Sequence, residues 1–296
     1  MFNISRFKDI ERREFECEVV TPLFLGGADP QNAEFRAAPI KGALRFWWRA
    51  LYGSNDIESM KKSEDAIWGS TQCKSMVTVE VISPDIQPVR EKLDRGNFNI
   101  YEYLGYGYRV GNIVRSYFKE GIFTIRLCYN KEYHEQVTNA LSFLMYFGGI
   151  GAKTRNGFGS LKCKEVQKPM FEQFKKGPIK SFTSLSERSL LFDKFYQKES
   201  WKAALSEIGN VYKEARFELK NMREKRELIA KPFKQDNSRH AKPYFLHINK
   251  LSDNNYIGHI LFMPYEYHDE RKRQDYYRVC NKMNEIIQEA AIGGVK

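Results

Sequence analysis

The chain has 296 residues, of which 42% are apolar, 14% aromatic and 29% charged; 48 Lys+Arg against 37 Asp+Glu give a formal net charge of +11. This composition excludes a disordered chain and, at about 100–200 residues per domain, predicts two domains with their own cores. The cationic excess favours a polyanionic partner, because Lys and Arg that meet phosphates release condensed counterions, but charge of this size also occurs in proteins that never touch nucleic acid.

The start, Met-Phe-Asn-Ile-Ser-Arg-Phe-Lys, has no apolar core of a secretory signal. Glu14 to Val20 alternates polar with apolar or thiol residues and predicts a half-buried strand. Pro22, Gly26-Gly27, Asp29-Pro30 and Asn32 then break the chain into a loop over Thr21–Ala38. From Pro39, apolar residues at Ile40, Leu44, Trp47 and Leu51 recur at helical spacing up to Gly53. Met76–Ile82 and Ile122–Cys128 read as strands, Glu132–Phe147 as a helix and Phe158–Val166 as a closing strand. The order is β-α-β-β-α-β, the ferredoxin-like or RRM-like arrangement, with an insertion from Pro84 to Gly121. The longest apolar stretch, Ala140–Ala152, is broken by glycines and is too short for the roughly 20 residues that cross a bilayer, so no membrane partner is expected.

Lys168–Pro178 is the predicted linker. Beyond it the elements repeat: a strand at Ser189–Tyr196, a helix at Lys202–Met222, a basic stretch at Arg223–Lys242, a hairpin of Tyr244–Ile248 with Ile257–Phe262, and a helix at Asp269–Ala291. The sequence stops at Ile292-Gly-Gly-Val-Lys, where a fourth strand would begin, so the second copy is expected to be incomplete. The fold class expected is therefore α+β with tandem ferredoxin-like domains: residues 1–168, carrying the insertion 84–121 and a glycine-rich loop 148–159, and residues 169–296, incomplete or irregular. The first part carries 24 basic and 20 acidic residues and the second 24 and 17, excesses of +4 and +7.

Three segments could meet a ligand. On the first helix, Lys41, Arg45, Trp48 and Tyr52 fall on one stripe beside the apolar one, with Arg49 next to it. Three cations and an aromatic on one ridge suit a phosphate backbone with a base stacked on the ring. The same spacing fits a buried Trp48 with solvated cations, and the pattern does not separate the two. Gly148-Gly-Ile-Gly-Ala-Lys-Thr-Arg-Asn-Gly-Phe-Gly159 has five glycines in twelve residues. Gly149, Gly151 and Gly157 would let backbone N–H groups approach an anion, with Lys153, Arg155 and Asn156 adding donors. It is not a Walker A loop, since Ala152 precedes the lysine and the loop runs from helix to strand. A glycine-rich turn with no ligand is the alternative. Tyr101, Tyr103, Tyr106 and Tyr108 crowd the insertion near Arg109 and Arg115, as base-stacking rings or as packing for a flap. The run Arg216–Lys242 could track phosphates, but reads better as a solvated helix end and mobile loop.

No catalytic motif appears. The histidines at 134, 240, 247, 259 and 268 are scattered, and five cysteines form neither a zinc box nor a disulfide framework, so no metal or cofactor is expected and the thiols are expected reduced, as in the cytoplasm. RNA cleavage without metal needs only an acid and a base near a 2′-OH, which keeps a nuclease open.

The block Thr21–Leu51, with Leu-Gly-Gly-Ala-Asp and Ile-Lys-Gly-Ala-Leu-Arg-Phe-Trp-Trp-Arg, resembles the first-numbered RAMP subunits of the type III-B CRISPR effector, the Cmr complex. The Gly148–Gly159 loop is similar to the glycine-rich loop of the RAMP superfamily, and Tyr103-Leu-Gly-Tyr-Gly107 fits the same subunits. The resemblance implies tandem ferredoxin-like domains in a prokaryotic, cytoplasmic antiviral defence complex. It implies a non-catalytic subunit that binds guide RNA near its 3′ end, or guide–target RNA, through the backbone, beside other RAMP subunits. The matching positions are Lys41, Arg45, Trp48 and Arg49, and the loop with Lys153 and Arg155. The alternative is a RAMP endoribonuclease that processes CRISPR repeat RNA with one of the histidines; a third reading is a scaffold that contacts only protein.

Overall fold

A computed structural model describes residues 9–29, 31–82, 86–93, 99–110, 113–219, 227–229 and 240–293. In chain order the elements are β1 (Ile10–Val19), α1 (Ala37–Tyr52), α2 (Ile57–Trp68), β2 (Val77–Ile82), α3 (Ile100–Leu104), β3 (Arg109–Val110), β4 (Ile113–Val114), β5 (Ile122–Asn130) and α4 (His134–Phe147). They continue with β6 (Leu161–Cys163), α5 (Phe171–Phe174), β7 (Leu190–Phe192), α6 (Trp201–Phe217), β8 (Tyr244–Ser252), β9 (Asn255–Phe262) and α7 (Glu270–Gly293). Parts of the expected insertion (84–85, 94–98, 111–112) and most of the basic run (220–226, 230–239) lie outside the described residues.

The chain divides into two compact units. Unit 1 comprises Met1–Glu91, Arg109–Ala152 and Phe158–Met170; unit 2 comprises Lys92–Tyr108, Lys153–Gly157 and Phe171–Lys296. The division departs from the sequence expectation in two places: part of the insertion, and five residues of the glycine-rich loop, belong to the second unit.

In unit 1 the sheet order is β2-β5-β1-β6, all antiparallel, with the connectivity β1-α1-β2-β5-α4-β6. Alternation sets its two faces. Phe15, Cys17 and Val19 of β1 and Phe123, Ile125, Leu127 and Tyr129 of β5 are buried, as are Ile40, Leu44 and Trp47 of α1 and Val137, Leu141 and Leu144 of α4. At about 1.5–3 kcal/mol for each large apolar side chain taken from water, this layer is the main force that holds helices to sheet. The opposite face is open and polar. Arg12, Glu14, Glu16 and Glu18 alternate along β1, and Arg126 of β5 lies 2.8 Å from both Glu14 and Glu80. The helix α2 was not expected; Asp56 caps it, accepting from the Ser59 N–H at 3.1 Å.

In unit 2 the sheet order is β7-β9-β8, again antiparallel, and α6 packs on β8, β9 and α7. The connectivity is β-α-β-β-α, and among the described residues no fourth strand pairs with β7. The outer edge of β8 is covered in part by the glycine-rich loop: Leu246 N–H donates to the Arg155 carbonyl at 3.2 Å, and Asn156 pairs with Leu246 in parallel. The helix α3 lies on α6, close enough that a Cβ at Gly209 would stand 2.8 Å from Leu104.

Candidate nucleic-acid interface

The α1 ridge of unit 1 differs from the expectation at its centre. Trp48 is 2% exposed and its Nε1 donates to Gln136 Oε1 at 2.7 Å, so its ring offers no face to a base. The stacking role expected for Trp48 is therefore corrected: α2 and the start of α4 close over the second stripe of α1, and the ring lines a groove of about 400 Å³ with Tyr52, Met60 and Tyr133. The cations are partly engaged. Lys41 Nζ donates to Ser75 Oγ at 2.7 Å and to the Val77 carbonyl at 3.1 Å, and burial with the nearby Arg45 charge lowers its pKa. Arg45 and Arg49 share one acid, the buried Glu64 of α2, at 2.6 and 3.1 Å. Three cations against one carboxylate leave the ridge a net +2, and both arginines keep about a third of their side-chain surface in solvent.

The glycines act in packing. Gly159 has φ +69°, and a Cβ there would stand 2.1 Å from the Ile150 carbonyl oxygen; Gly151 has φ +88° and would meet the Phe24 carbonyl at 2.5 Å. In Gly149 a Cβ would lie 2.7 Å from the Gly159 oxygen, and in Gly157 2.5 Å from Leu205. The neighbouring N–H groups are spent on carbonyls: Ile150 to Gly159, Ala152 to Phe24, Gly159 to Pro22, Asn156 to Lys153 and Gly157 to Thr154. The expected anion cradle at Gly149, Gly151 and Gly157 is corrected on this ground. These positions need glycine because backbones approach closely, and the N–H groups of Ile150, Ala152, Asn156, Gly157 and Gly159 already have partners.

In unit 2 the loop's side chains enter a cluster of cations. Arg155 donates to the Lys242 carbonyl and stacks on Phe245, its guanidinium carbon 4.5 Å from the ring centre. Lys242 Nζ donates to the Arg155 carbonyl at 2.9 Å and to Asn156 Oδ1 at 2.6 Å, and lies 3.9 Å from the centre of the Tyr212 ring. Asn156 also donates to the Leu104 carbonyl at 2.6 Å. Arg216 donates to the Tyr103 hydroxyl at 3.0 Å, and Lys213 sits 6.0 Å over the Tyr103 ring. Lys153, at φ +65° in the left-handed region that non-glycine residues seldom occupy, brings its ammonium near Gly107.

The electrostatics of this cluster are unbalanced. Burial, then the Arg216 and Arg155 charges, hold the Lys242 ammonium well below its ordinary pKa, and burial lowers Arg155 to about 10. Tyr212 raises that of Arg216, and its own phenol is pushed up by burial. By surface area Arg155, Arg216 and Lys242 are only half-buried, although protein atoms crowd their charged heads. The crowding shifts the pKa values and the accessible part is what a ligand reaches. Among the described residues no carboxylate lies within 4.0 Å of Lys242 or Arg216, whereas most other part-buried cations of the chain, such as Lys198 with Glu207, hold one.

Of the insertion tyrosines, Tyr101 and Tyr108 are buried, Tyr101 donating to the Lys202 carbonyl at 3.0 Å, while Tyr103 is half-buried and Tyr106 exposed. Lys242, Arg216, Tyr103 and Tyr212 as a group escape sequence reasoning, because they are far apart in the chain and Lys242 ends a run that reads as solvated; the Tyr103/Arg216 pairing has no local signal. His247 and His259 stack at 5.1 Å within the sheet, and His240 lies 4.5 Å from His268. Among the described residues no group of three His, Cys, Asp or Glu could hold a metal, and no helix is long and apolar enough to cross a membrane.

Residues 16–162 match the RAMP superfamily. The CRISPR system Cmr subunit Cmr1-2 of Pyrococcus furiosus is 33% identical over 178 residues, which cover 52% of this chain and 95% of that protein. The Cmr subunit Cmr1-1 of the same organism is 29% identical over 182 residues, 59% of this chain and 53% of that one. Among solved structures, the apo crystal structure of Cmr1 from Pyrococcus furiosus superposes with a TM-score of 0.58 at 20% identity, covering 93% of this chain and 96% of that one. A chain of the type III-B Cmr-beta complex bound to cognate target RNA gives 0.54 at 14% identity, covering 95% and 100%; at such identities the likeness is one of fold. The mixed α+β fold with two antiparallel sheets, the residues shared with almost the whole of one Cmr1 subunit and the superfamily match over the first half place this chain in the RAMP superfamily, among the Cmr1 subunits.

Proposed function

We propose that the chain is a non-catalytic RNA-binding subunit of a type III-B CRISPR RNA-guided complex, holding guide RNA near its 3′ end, or guide–target RNA, through the phosphate backbone. The observation that carries this reading is the unit 2 cluster, where Lys242 and Arg216 are crowded together against Tyr212 with no acid beside them among the described residues. Gathering like charges in part-desolvated positions costs stability, and a resident anion would repay it. Tyr103 offers a hydroxyl and a ring edge at the same place, and Lys213 and Lys153 widen the positive field. The ridge of Lys41, Arg45 and Arg49 adds a second cationic surface within unit 1. Backbone contacts suit a subunit that must accept guides of any sequence.

The test is single-stranded RNA affinity against salt, by fluorescence anisotropy. Wild type should lose affinity linearly in log[salt], with a slope of about 0.7 for each phosphate neutralised on a single strand. Arg216→Ala with Lys213→Ala should reduce that slope and weaken binding to all sequences alike. A flat salt response in wild type, or an unchanged slope in the double variant, overturns the reading. Repeat RNA incubated with the protein in EDTA should stay intact; its cleavage would return the endoribonuclease.

A further inference from the structure

We propose that the open face of the unit 1 sheet is a protein-docking surface that receives a cationic patch, Lys or Arg beside aliphatic groups, from another subunit of the same assembly, and that RNA does not bind there. The assembly is that of the proposed function, on which the identity of the partner rests.

The first ground is what the face lacks. A sheet of this connectivity that reads single-stranded RNA stacks bases on aromatic rings of its open face. Here the aromatics at the inward positions of β1 and β5, Phe15, Phe123 and Tyr129, are buried against the helices, and no outward position of β1, β2 or β5 carries a ring.

The second ground is charge. Glu14, Glu16 and Glu18 stand on the same side of β1, about 6.8 Å apart in sequence order at 3.4 Å per residue. Glu80 joins them from β2, and with Arg12, Arg126 and Lys162 the face holds four carboxylates against three cations. A surface with no cationic excess gains nothing from counterion release, so phosphates have no reason to settle on it. The carboxylates are also unequally served. Arg126 bridges Glu14 and Glu80, whereas Glu16 lies opposite Thr124, which in turn lies opposite Ile82. On the β5 and β2 side of its row Glu16 meets no guanidinium or ammonium.

The third ground is apolar surface in the same place. Ile82 is 38% and Ile122 is 52% exposed, and Ile122 is the cross-strand neighbour of Glu18 while Ile82 is that of Thr124. Aliphatic surface beside charge is found in protein interfaces, with complementary charge supplying orientation and on-rate.

The experiment uses the full chain with the other subunits of its own effector complex and a guide RNA. Entry into the assembly is followed by native mass spectrometry and size-exclusion chromatography. Glu16→Lys with Ile122→Asp changes only outward positions, and an unaltered thermal transition confirms folding. The double variant should enter the assembly at least about tenfold more weakly, while the isolated variant keeps or improves its affinity for single-stranded RNA. Should the variant melt early, Glu16→Lys alone is measured in the same way. A folded variant that assembles as well as wild type, or photocrosslinks from RNA to β1, β2 or β5, overturns the proposal. Wild type that never enters the assembly overturns the proposed function as well, so the two failures are told apart.

Discussion

Lys242→Met separates a cation kept for a ligand from one kept for the fold. The ammonium makes two hydrogen bonds, to the Arg155 carbonyl and to Asn156 Oδ1, and sits over the Tyr212 ring. Removing it leaves Asn156 Oδ1 short of a donor, at about 1–3 kcal/mol if it stays dry, and loses a cation–π contact of about 2 kcal/mol, while the Arg155 carbonyl keeps the Leu246 N–H. Against that, methionine carries no charge to desolvate, fills nearly the same volume, and ends the repulsion with Arg155 and Arg216. Exchanges of buried charge for apolar groups recover about 1–4 kcal/mol on this account. The terms offset, and the net change in unfolding free energy should stay within about 1.5 kcal/mol, read by urea denaturation. Affinity for single-stranded RNA should fall about tenfold near 0.1 M salt, with a slope smaller by about 0.7. Loss of more than about 3 kcal/mol, with RNA binding of the folded fraction unchanged, would refute the reasoning and make Lys242 a structural strut.

The same residue gives a pH signature. A base whose folded pKa is depressed binds fewer protons folded than unfolded between its two values, so stability rises with pH through that window, up to the ordinary lysine value, and its penalty is full below it. Wild type should therefore gain stability from pH 7 toward pH 10 relative to Lys242→Met, measured by denaturation at each pH. Tyr244 and Tyr276, whose phenols burial raises, act oppositely and lower stability of both proteins once pH exceeds about 10, the value of an unfolded tyrosine. Glu64→Gln should free Arg45 and Arg49 from their shared acid, costing about 1–2 kcal/mol because both arginines are part-exposed, while steepening the salt dependence of RNA binding if the ridge meets phosphates. Gly159→Ala should cost about 3 kcal/mol or more, since the backbone at φ +69° is strained for alanine and its Cβ would overlap the Ile150 oxygen; a thermal shift under about 3 °C would contradict that packing.

How much the sequence revealed depended on whether one face or two were in play. α1 and α4 carry a single strong apolar stripe, and the expected spans fall within a few residues of Ala37–Tyr52 and His134–Phe147. The second stripe of α1 was ambiguous because its cover, α2, is polar along much of its length and follows a loop of Gly53-Ser-Asn. Without α2, Trp48 reads equally as exposed or buried; with it, Trp48 is buried and Glu64 arrives to hold two arginines. The glycine-rich loop was plain as a loop, but its glycines answer to carbonyl oxygens of residues as distant as Pro22 and Phe24, a constraint that no local spacing carries. The three strands of unit 2 were legible from their apolar runs at 189–196, 244–248 and 257–262, whereas the recruitment of residues 92–108 and 153–157 to that unit is a matter of tertiary contact.

That recruitment has a consequence for how the protein is made. The chain passes between its units at residues 91–92, 108–109, 152–153, 157–158 and 170–171. On the ribosome the first sheet can close once β6 emerges, but Arg155 and Asn156 wait for β8, which ends 95 residues after Gly157, at Ser252. At roughly 5–20 residues per second that is a delay of about 5–20 s, during which the sequences of α3 and Lys153–Gly157 are held out from an already folded body. A fragment that begins at Phe171 would lack both pieces, and the β8 edge would be left uncovered at Leu246, an invitation to intermolecular pairing. The second unit is thus completed by segments synthesised before it.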